Sequence, residues 1–282
     1  MDAIGDAQGD RGLPFVKGHG TGNDFVVLPD ADGLLDLTPA LIRRLCDRRF
    51  GIGGDGVLRV VRSKHVPEAP GADADALIPE WFMDYHNADG SIAEMCGNGV
   101  RVYARFLVAS GWAQPGELVL ATRGGHKTVE VGADGDVRVD MGPPEVLGSA
   151  SARFGDREVV GCAVSMGNPH LVTRVADVEE LRRLDLTAPV VGDPDVFPTG
   201  VNLEFVVEAA DSSLEMRVHE RGVGETLSCG TGACAVAVAA MGAPGPAREI
   251  RVPGGRLLVE WTEHSVFLSG PAELVAEGHW CG

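Results

Sequence analysis

Residues 83–101 read MDYHNADGSIAEMCGNGVR, and residues 216–234 read MRVHERGVGETLSCGTGAC. At an offset of 133 (229 − 96 = 133), Met83 falls on Met216, His86 on His219, Cys96 on Cys229, Gly97 on Gly230 and Gly99 on Gly232, with no gap. In each copy a polar turn leads into Cys-Gly-x-Gly, and a run of small and apolar residues follows. The repeat reads as two halves of one fold, each presenting a thiol at the start of a helix.

The surrounding elements repeat in the same order. In the first half, strands are expected at 15–17 and 25–28 around the glycine-rich loop Gly18-His19-Gly20-Thr21-Gly22-Asn23-Asp24, whose glycines imply a close approach to other backbone. A helix is expected at 38–49 from a capping Thr38 with Pro39 at its first turn, then a strand at 57–61. Residues 66–76 are rich in Pro, Ala, Gly and Asp and read as a surface loop. A strand at 81–85, the post-cysteine helix at 100–109 and a meander at 117–122, 127–131 and 137–141 complete the half. The second half replays this with strands at 163–166, 171–173, 201–207 and 214–219. Helices at 178–184 and 233–241 and a meander at 249–252, 256–261 and 266–269 follow the same plan. Gly124-Gly125 matches Gly254-Gly255 and Gly142-Pro143 matches Gly270-Pro271, at similar offsets (254 − 124 = 130; 270 − 142 = 128).

The helix over 233–241 is apolar on every face and so belongs in a core. A buried helix among mainly antiparallel strands predicts an α+β fold with a sheet wrapped around a central helix in each half. The halves divide at 1–140, carrying Cys96, and 141–271, carrying Cys229, with 272–282 packing back on the first. Residues 1–12 read as a disordered tail without the apolar core of a signal peptide. The glycine pairs at the helix starts belong at a surface, and the seam between the halves is the expected place.

Composition narrows the function classes. The 282 residues carry a formal charge of −17, which argues against nucleic acid and anionic membranes as partners. No apolar stretch is long enough to span a bilayer. Cys46, Cys96, Cys162, Cys229, Cys234 and Cys281 form neither CxxC nor zinc-ligand spacings, so reduced thiols in a cytoplasm and no metal are expected. Lys17, Lys64 and Lys127 lie in no cofactor motif, and no cofactor is expected. Gly51-Ile52-Gly53-Gly54-Asp55-Gly56 matches G-x-G-x-x-G formally, but it follows a helix and opens a strand, the reverse of a dinucleotide site.

A thiol at a helix N-terminus meets the positive end of the dipole and free backbone N–H groups, so a lowered pKa is expected for Cys96 and Cys229. The same N–H groups cradle an anion. Two such ends facing each other frame one carboxylate with a sulfur on each side. That arrangement suits inversion at an α-carbon: one thiolate removes the hydrogen and the other thiol returns a proton on the opposite face.

At these residues the chain resembles diaminopimelate epimerase over nearly its whole length, in HGTGNDF, NADGS, CGNG with Arg101, MGNPH, GVN and ERG.GET..CGTGA. The resemblance implies two barrel-like domains related by a pseudo-twofold, a site in the cleft between them, and homodimers. It implies catalysis by Cys96 and Cys229, supported by His170 and Glu220. It further implies that Gly97, Asn98, Gly230 and Thr231 hold the reacting carboxylate of a small-molecule substrate, diaminopimelate, and that Asn23, Asn87, Asn168 and Asn202 surround the rest. Glu220 and Arg221 would meet the substrate's distal amino and carboxylate groups, a Glu for ammonium and an Arg for carboxylate. One departure is Gly56, where some members of the family carry a substrate-contacting Gln. Rival readings are a proline or hydroxyproline racemase, a thiol–disulfide protein, an amino-acid binding module and a pyridoxal-phosphate racemase. Arg221 and the asparagines speak against the first, the lack of CxxC against the second, the intact cysteine pair against the third, and the lysine placement against the fourth.

Overall fold

The structure is a computed structural model that describes residues 12–67 and 78–282. The expected tail therefore lies almost wholly outside the described residues, as does most of the loop expected at 66–76. In the first half the elements are β1 (Leu13–Gly20), β2 (Asn23–Pro29), α1 (Pro39–Cys46), β3 (Gly56–Arg62), β4 (Trp81–Asn87), α2 (Gly97–Ala109), β5 (Gly116–Thr122), β6 (Gly125–Val131) and β7 (Asp136–Gly142). The second half begins with β8 (Glu145–Phe154), β9 (Arg157–Ser165), β10 (Pro169–Arg174), α3 (Val178–Arg183), β11 (Val190–Gly192), β12 (Asn202–Glu208) and β13 (Leu214–Glu220). It continues with β14 (Gly224–Thr226), α4 (Gly230–Met241), β15 (Gly245–Val252), β16 (Gly255–Trp261), β17 (Val266–Pro271) and β18 (Glu273–Trp280).

The halves pair their main strands in the same order, the short β11 and β14 being additions of the second half. β2 runs parallel to β3 as β10 runs parallel to β12, and β4 meets β5 in parallel as β13 meets β15. The remaining ladders within each half are antiparallel, so each sheet is mixed but mainly antiparallel. The chain crosses between halves twice. β8 leaves β7 to pair with β9, and β18 leaves β17 to pair with β1. β7 and β17 also pair, which joins the two sheets along one edge. Two α+β units, each a sheet curled around one central helix, are thus zipped together.

Packing follows from composition. α4 is built of Gly, Ala, Cys, Val and one Thr and one Met, and its buried side chains merge with those of α2, Leu58, Met83, Leu257 and Leu268 into one core. The outer sheet faces are closed by amphipathic helices. Ile42 and Leu45 of α1 cover Val26, Leu28 and Val57, and Leu181 of α3 lies in a cluster with Leu171, Leu203 and Phe205.

α1 is shorter than the expected 38–49. Thr38 caps it as anticipated, its side chain accepting from Leu41 N at 3.2 Å. It ends at Cys46 because the Asp47 carboxylate accepts the Arg49 and Phe50 N–H groups, both at 2.8 Å, offering the chain a turn in place of another helical bond. The expected close approach of the glycine-rich loop is found: Thr21 sits at a φ of 51°, and Gly254 comes so close to its carbonyl that no side chain fits there. That contact is made by the second half's Gly-Gly turn on the first half's loop.

Candidate active site

Both helices begin one residue after the thiol, and each cysteine is the helix N-cap. Cys96 and Cys229 have extended backbones, and their sulfurs accept from Gly99 N at 3.4 Å and Gly232 N at 3.3 Å. The glycine three residues on is required at least in the second copy, where a Cβ on Gly232 would lie 2.7 Å from Glu204 Oε1. Capping uses the third N–H of each helix, and Val100 N and Ala233 N bond the cysteine carbonyls. The N–H groups of Gly97, Asn98, Gly230 and Thr231 are left with no carbonyl inside the helix.

The two helix starts meet at the seam. A Cβ on Gly230 would lie 3.6 Å from Gly97 Cα and 3.6 Å from Asn98 Oδ1. Asn98 Nδ2 donates across the seam to Ser228 O at 3.0 Å, and Thr21 Oγ1 lies 2.6 Å from Ser228 Oγ. Both cysteines are free thiols.

The expectation of lowered thiol pKa values is overturned. Burial pushes Cys96 up to about 11, against the pull of the Gly99 N–H. Burial also drives Cys229 well above the ordinary thiol value, and the Glu220 and Glu204 carboxyls add to the rise. Desolvation outweighs the helix ends here: Cys229 is buried and Cys96 half-buried.

Of the first-half residues, Asn23 lies beside Cys96. Asn23 Oδ1 lies 3.6 Å from the sulfur and accepts from Asn98 Nδ2 at 3.2 Å, while Asn23 Nδ2 donates to Asp55 at 2.7 Å. Asn87 ends β4, with its Oδ1 accepting from the Tyr85 hydroxyl at 2.9 Å.

Of the second-half residues, Thr231 and Glu220 lie beside Cys229, and Asn168 and His170 follow from Thr231 by hydrogen bonds. Thr231 Oγ1 lies 3.5 Å from the sulfur and accepts from Asn168 Nδ2 at 3.3 Å. Asn168 Oδ1 in turn lies 3.1 Å from His170 Nε2, and His170 Nδ1 lies 2.6 Å from Glu204 Oε1. His170 is fully buried, and its hydrogen bonds lead to the thiol through Asn168 and Thr231. The Glu220 carboxyl lies against Cys229 and accepts from Thr226 Oγ1 at 2.5 Å; burial raises its pKa, with the Thr226 bond opposing. Asn202 spends its amide on backbone, donating to Pro169 O at 3.1 Å and accepting Arg221 N at 2.9 Å. The Arg221 guanidinium, more exposed, is held by Thr199 O and Oγ1, both at 2.8 Å.

The sequence reading missed Glu204, Asp55, Tyr85, Thr226 and Ser228. Glu204 alone left a signal: a carboxylate in the apolar run VNLEFVV is costly unless partnered. Among the described residues no cluster of His, Cys, Asp and Glu has the arrangement of a metal site, and no helix is long and apolar enough to cross a membrane. Two open surface hollows near α3, one between Asp177 and Arg251 and one between Phe154 and Arg183, include neither thiol.

Residues 15–147 and 162–275 match the family model described as diaminopimelate epimerase. The chain is 51% identical to the diaminopimelate epimerase of Streptomyces coelicolor, over 95% of each chain. It is 52% identical to that of Thermobifida fusca, over 94% of this chain and 97% of the relative. Among solved structures, a hydroxyproline epimerase from Agrobacterium vitis superposes with a TM-score of 0.67 at 15% identity, covering 96% of this chain and 93% of that one. A predicted epimerase from Pseudomonas aeruginosa gives 0.66 at 18%, covering 96% and 99%. At those identities the structural matches speak to the fold alone.

Proposed function

The chain belongs to the diaminopimelate epimerase family, and from that premise we propose that it interconverts LL- and meso-diaminopimelate with Cys96 and Cys229 as the two proton-transfer groups. The observation that supports this most is the pairing of two thiol-capped helix starts at one seam. The reacting carboxylate binds to the N–H groups of Gly97, Asn98, Gly230 and Thr231, where the dipoles of α2 and α4 favour negative charge. The α-carbon then lies between the sulfurs. One thiolate forms an S–H bond as the α-C–H bond breaks, leaving the electron pair on the α-carbon and its carboxylate. The other thiol gives its proton to the opposite face and becomes the thiolate. Charge and protons balance, and the enzyme ends with the two protonation states exchanged.

The high thiol pKa values set what the substrate must do. A buried thiolate is costly without a counter-charge. The substrate's α-ammonium brings that charge into the slot, and the helix ends stabilise the carbanion as it forms. Glu220, beside Cys229, receives the ammonium. Asn23 and Asn87 on one side, and Asn168 and Arg221 on the other, meet the distal end, with Asn202 holding the Arg221 backbone in place. We propose also that the enzyme acts as a homodimer in the cytoplasm, as the family resemblance implies, and light scattering tests the first of these.

The test is release of α-hydrogen to solvent. Purified protein is expected to exchange the α-hydrogen of diaminopimelate and to leave proline unlabelled. Exchange from proline but not from diaminopimelate would overturn the substrate assignment.

A further inference from the structure

Tyr85 is a buried phenol that the proton-transfer scheme does not use, and its hydroxyl reaches into the substrate-facing cluster. Residues 85 and 87 share one face of β4, because side chains alternate along a strand. In the ladder with β3, Leu58 lies opposite Tyr85 and Gly56 lies opposite Asn87. A Cβ on Gly56 would sit 2.7 Å from Tyr85 Cε2 and 2.5 Å from His86 O. The ring therefore lies over the bare backbone of Gly56 and follows the strand toward Asn87. Phe25 meets it edge-on, with ring centroids 5.9 Å apart and planes at 80°, and fixes its tilt.

The hydrogen bonds at the end of this path are directional. The Ser91 hydroxyl gives its hydrogen to Asp89 Oδ1 at 2.6 Å, so toward Asn87 it can only accept, and it takes Asn87 Nδ2 at 3.0 Å. That turns Asn87 Oδ1 toward Tyr85, whose hydroxyl donates to it at 2.9 Å. Burial holds the phenol far above its ordinary pKa, with Cys96 and then Glu220 reinforcing the rise, so the hydroxyl stays a donor and lies within electrostatic reach of the cleft groups. Both ends of the Asn87 amide are thereby fixed, and one of its N–H groups remains for a ligand.

We propose that Tyr85 is a positioning residue for substrate: its hydroxyl, carried over side-chain-free Gly56, sets the orientation of the Asn87 amide that meets the distal end of diaminopimelate. This rests on the placement of Asn87 among the substrate contacts.

The experiment is a double-mutant cycle on kcat and KM with diaminopimelate, using Tyr85→Phe, Asn87→Ala and the double variant. Phenylalanine keeps the ring against Phe25 and over Gly56, and thermal midpoints check that the fold is retained. Y85F is expected to raise KM by about 2- to 10-fold, the range of one neutral hydrogen bond, with kcat within about twofold. N87A is expected to raise KM at least as much, and the double variant to match N87A within about twofold, because the phenol acts through the amide. Ser91→Ala, which frees the other end of the amide, is expected to raise KM in the same direction. Multiplicative effects of Y85F and N87A would overturn the inference, as would a Y85F variant that lowers kcat at unchanged KM. If N87A leaves KM unchanged, both the inference and the placement of Asn87 in the site fall. If N87A raises KM while Y85F does not, only the inference falls.

Discussion

Arg101 and Cys234 hold the same place in the two halves, each at the same spacing beyond its thiol, and both are fully buried. The duplicated frame thus carries a buried cation in one half where the other half has a small thiol. The Arg101 guanidinium hydrogen-bonds Thr21 Oγ1 at 3.2 Å and the Gly97 and Pro271 carbonyls at 3.5 Å, and pairs with no carboxylate among the described residues. Glu220 pushes both thiols toward the neutral form; Arg101 opposes that push at Cys96, whereas Glu204 adds to it at Cys229.

Cys96 is therefore expected to be the more acidic of the two helix-capping thiols in the free enzyme. Limiting iodoacetamide near pH 8, followed by peptide mass analysis, should label Cys96 ahead of Cys229. Arg101→Met should raise the pH at which Cys96 reacts by about one unit and leave Cys229 unchanged. Identical pH profiles for Cys96 with and without the guanidinium would contradict this.

The chain from Glu204 through His170, Asn168 and Thr231 to Cys229 predicts two separable losses. His170→Asn strands a buried carboxylate and should cost about 3–5 kcal/mol in urea unfolding. Glu204→Gln keeps a partner for the ring without the charge. It should cost less stability while still lowering kcat by about 10-fold, through misplacement of Asn168 and Thr231. Unaltered kcat in E204Q would detach this chain from catalysis.

Glu220 gives a pH signature of the opposite sense to most carboxylates. Its folded pKa is raised by burial, so the fold holds the proton more tightly than the unfolded chain does. Stability is then full below the unfolded carboxylate pKa and is lost as pH rises through the folded one. Glu220→Gln should consequently melt higher than the parent above pH 7, with the gap closing as pH falls toward 4, while losing most epimerase activity. A gap that widens on acidification would contradict the assignment.

Asp84 sets the acid limit. Burial opposes its ionisation, but His86 at 2.8 Å and Arg123 at 2.8 Å outweigh that and hold its carboxyl at about 2. The stability it supplies is present above the unfolded value of about 3.9 and is lost as pH falls toward 2. Asp84→Asn should flatten the acid unfolding curve in that window and leave the thiol reactivity unchanged.

The legible part of this molecule was what duplication and spacing carry. The Cys-Gly-x-Gly copies located both central helices and both thiols, and the parallel order of the meanders gave two sheets around two helices. β8 and β18, the two crossing strands, were not read, because GSASARF is small and polar and ELVAEGHW alternates too weakly to declare a buried face. The thiol pKa direction was misread for a different reason. Sequence shows the helix end, which lowers a thiol, but not how much protein closes over the sulfur. Tyr85 and Asp55 enter the site by folding, whereas Glu204 left one mark in the chain, a carboxylate within an apolar run.

The most direct test of the two-thiol account is the initial-rate distribution of deuterium when LL-diaminopimelate is epimerised in heavy water. Proton removal by one sulfur and delivery by the other predicts deuterium at the inverted α-carbon of the product, with the recovered substrate essentially unlabelled. Equal early labelling of substrate and product would require a single group serving both faces, and would contradict the account.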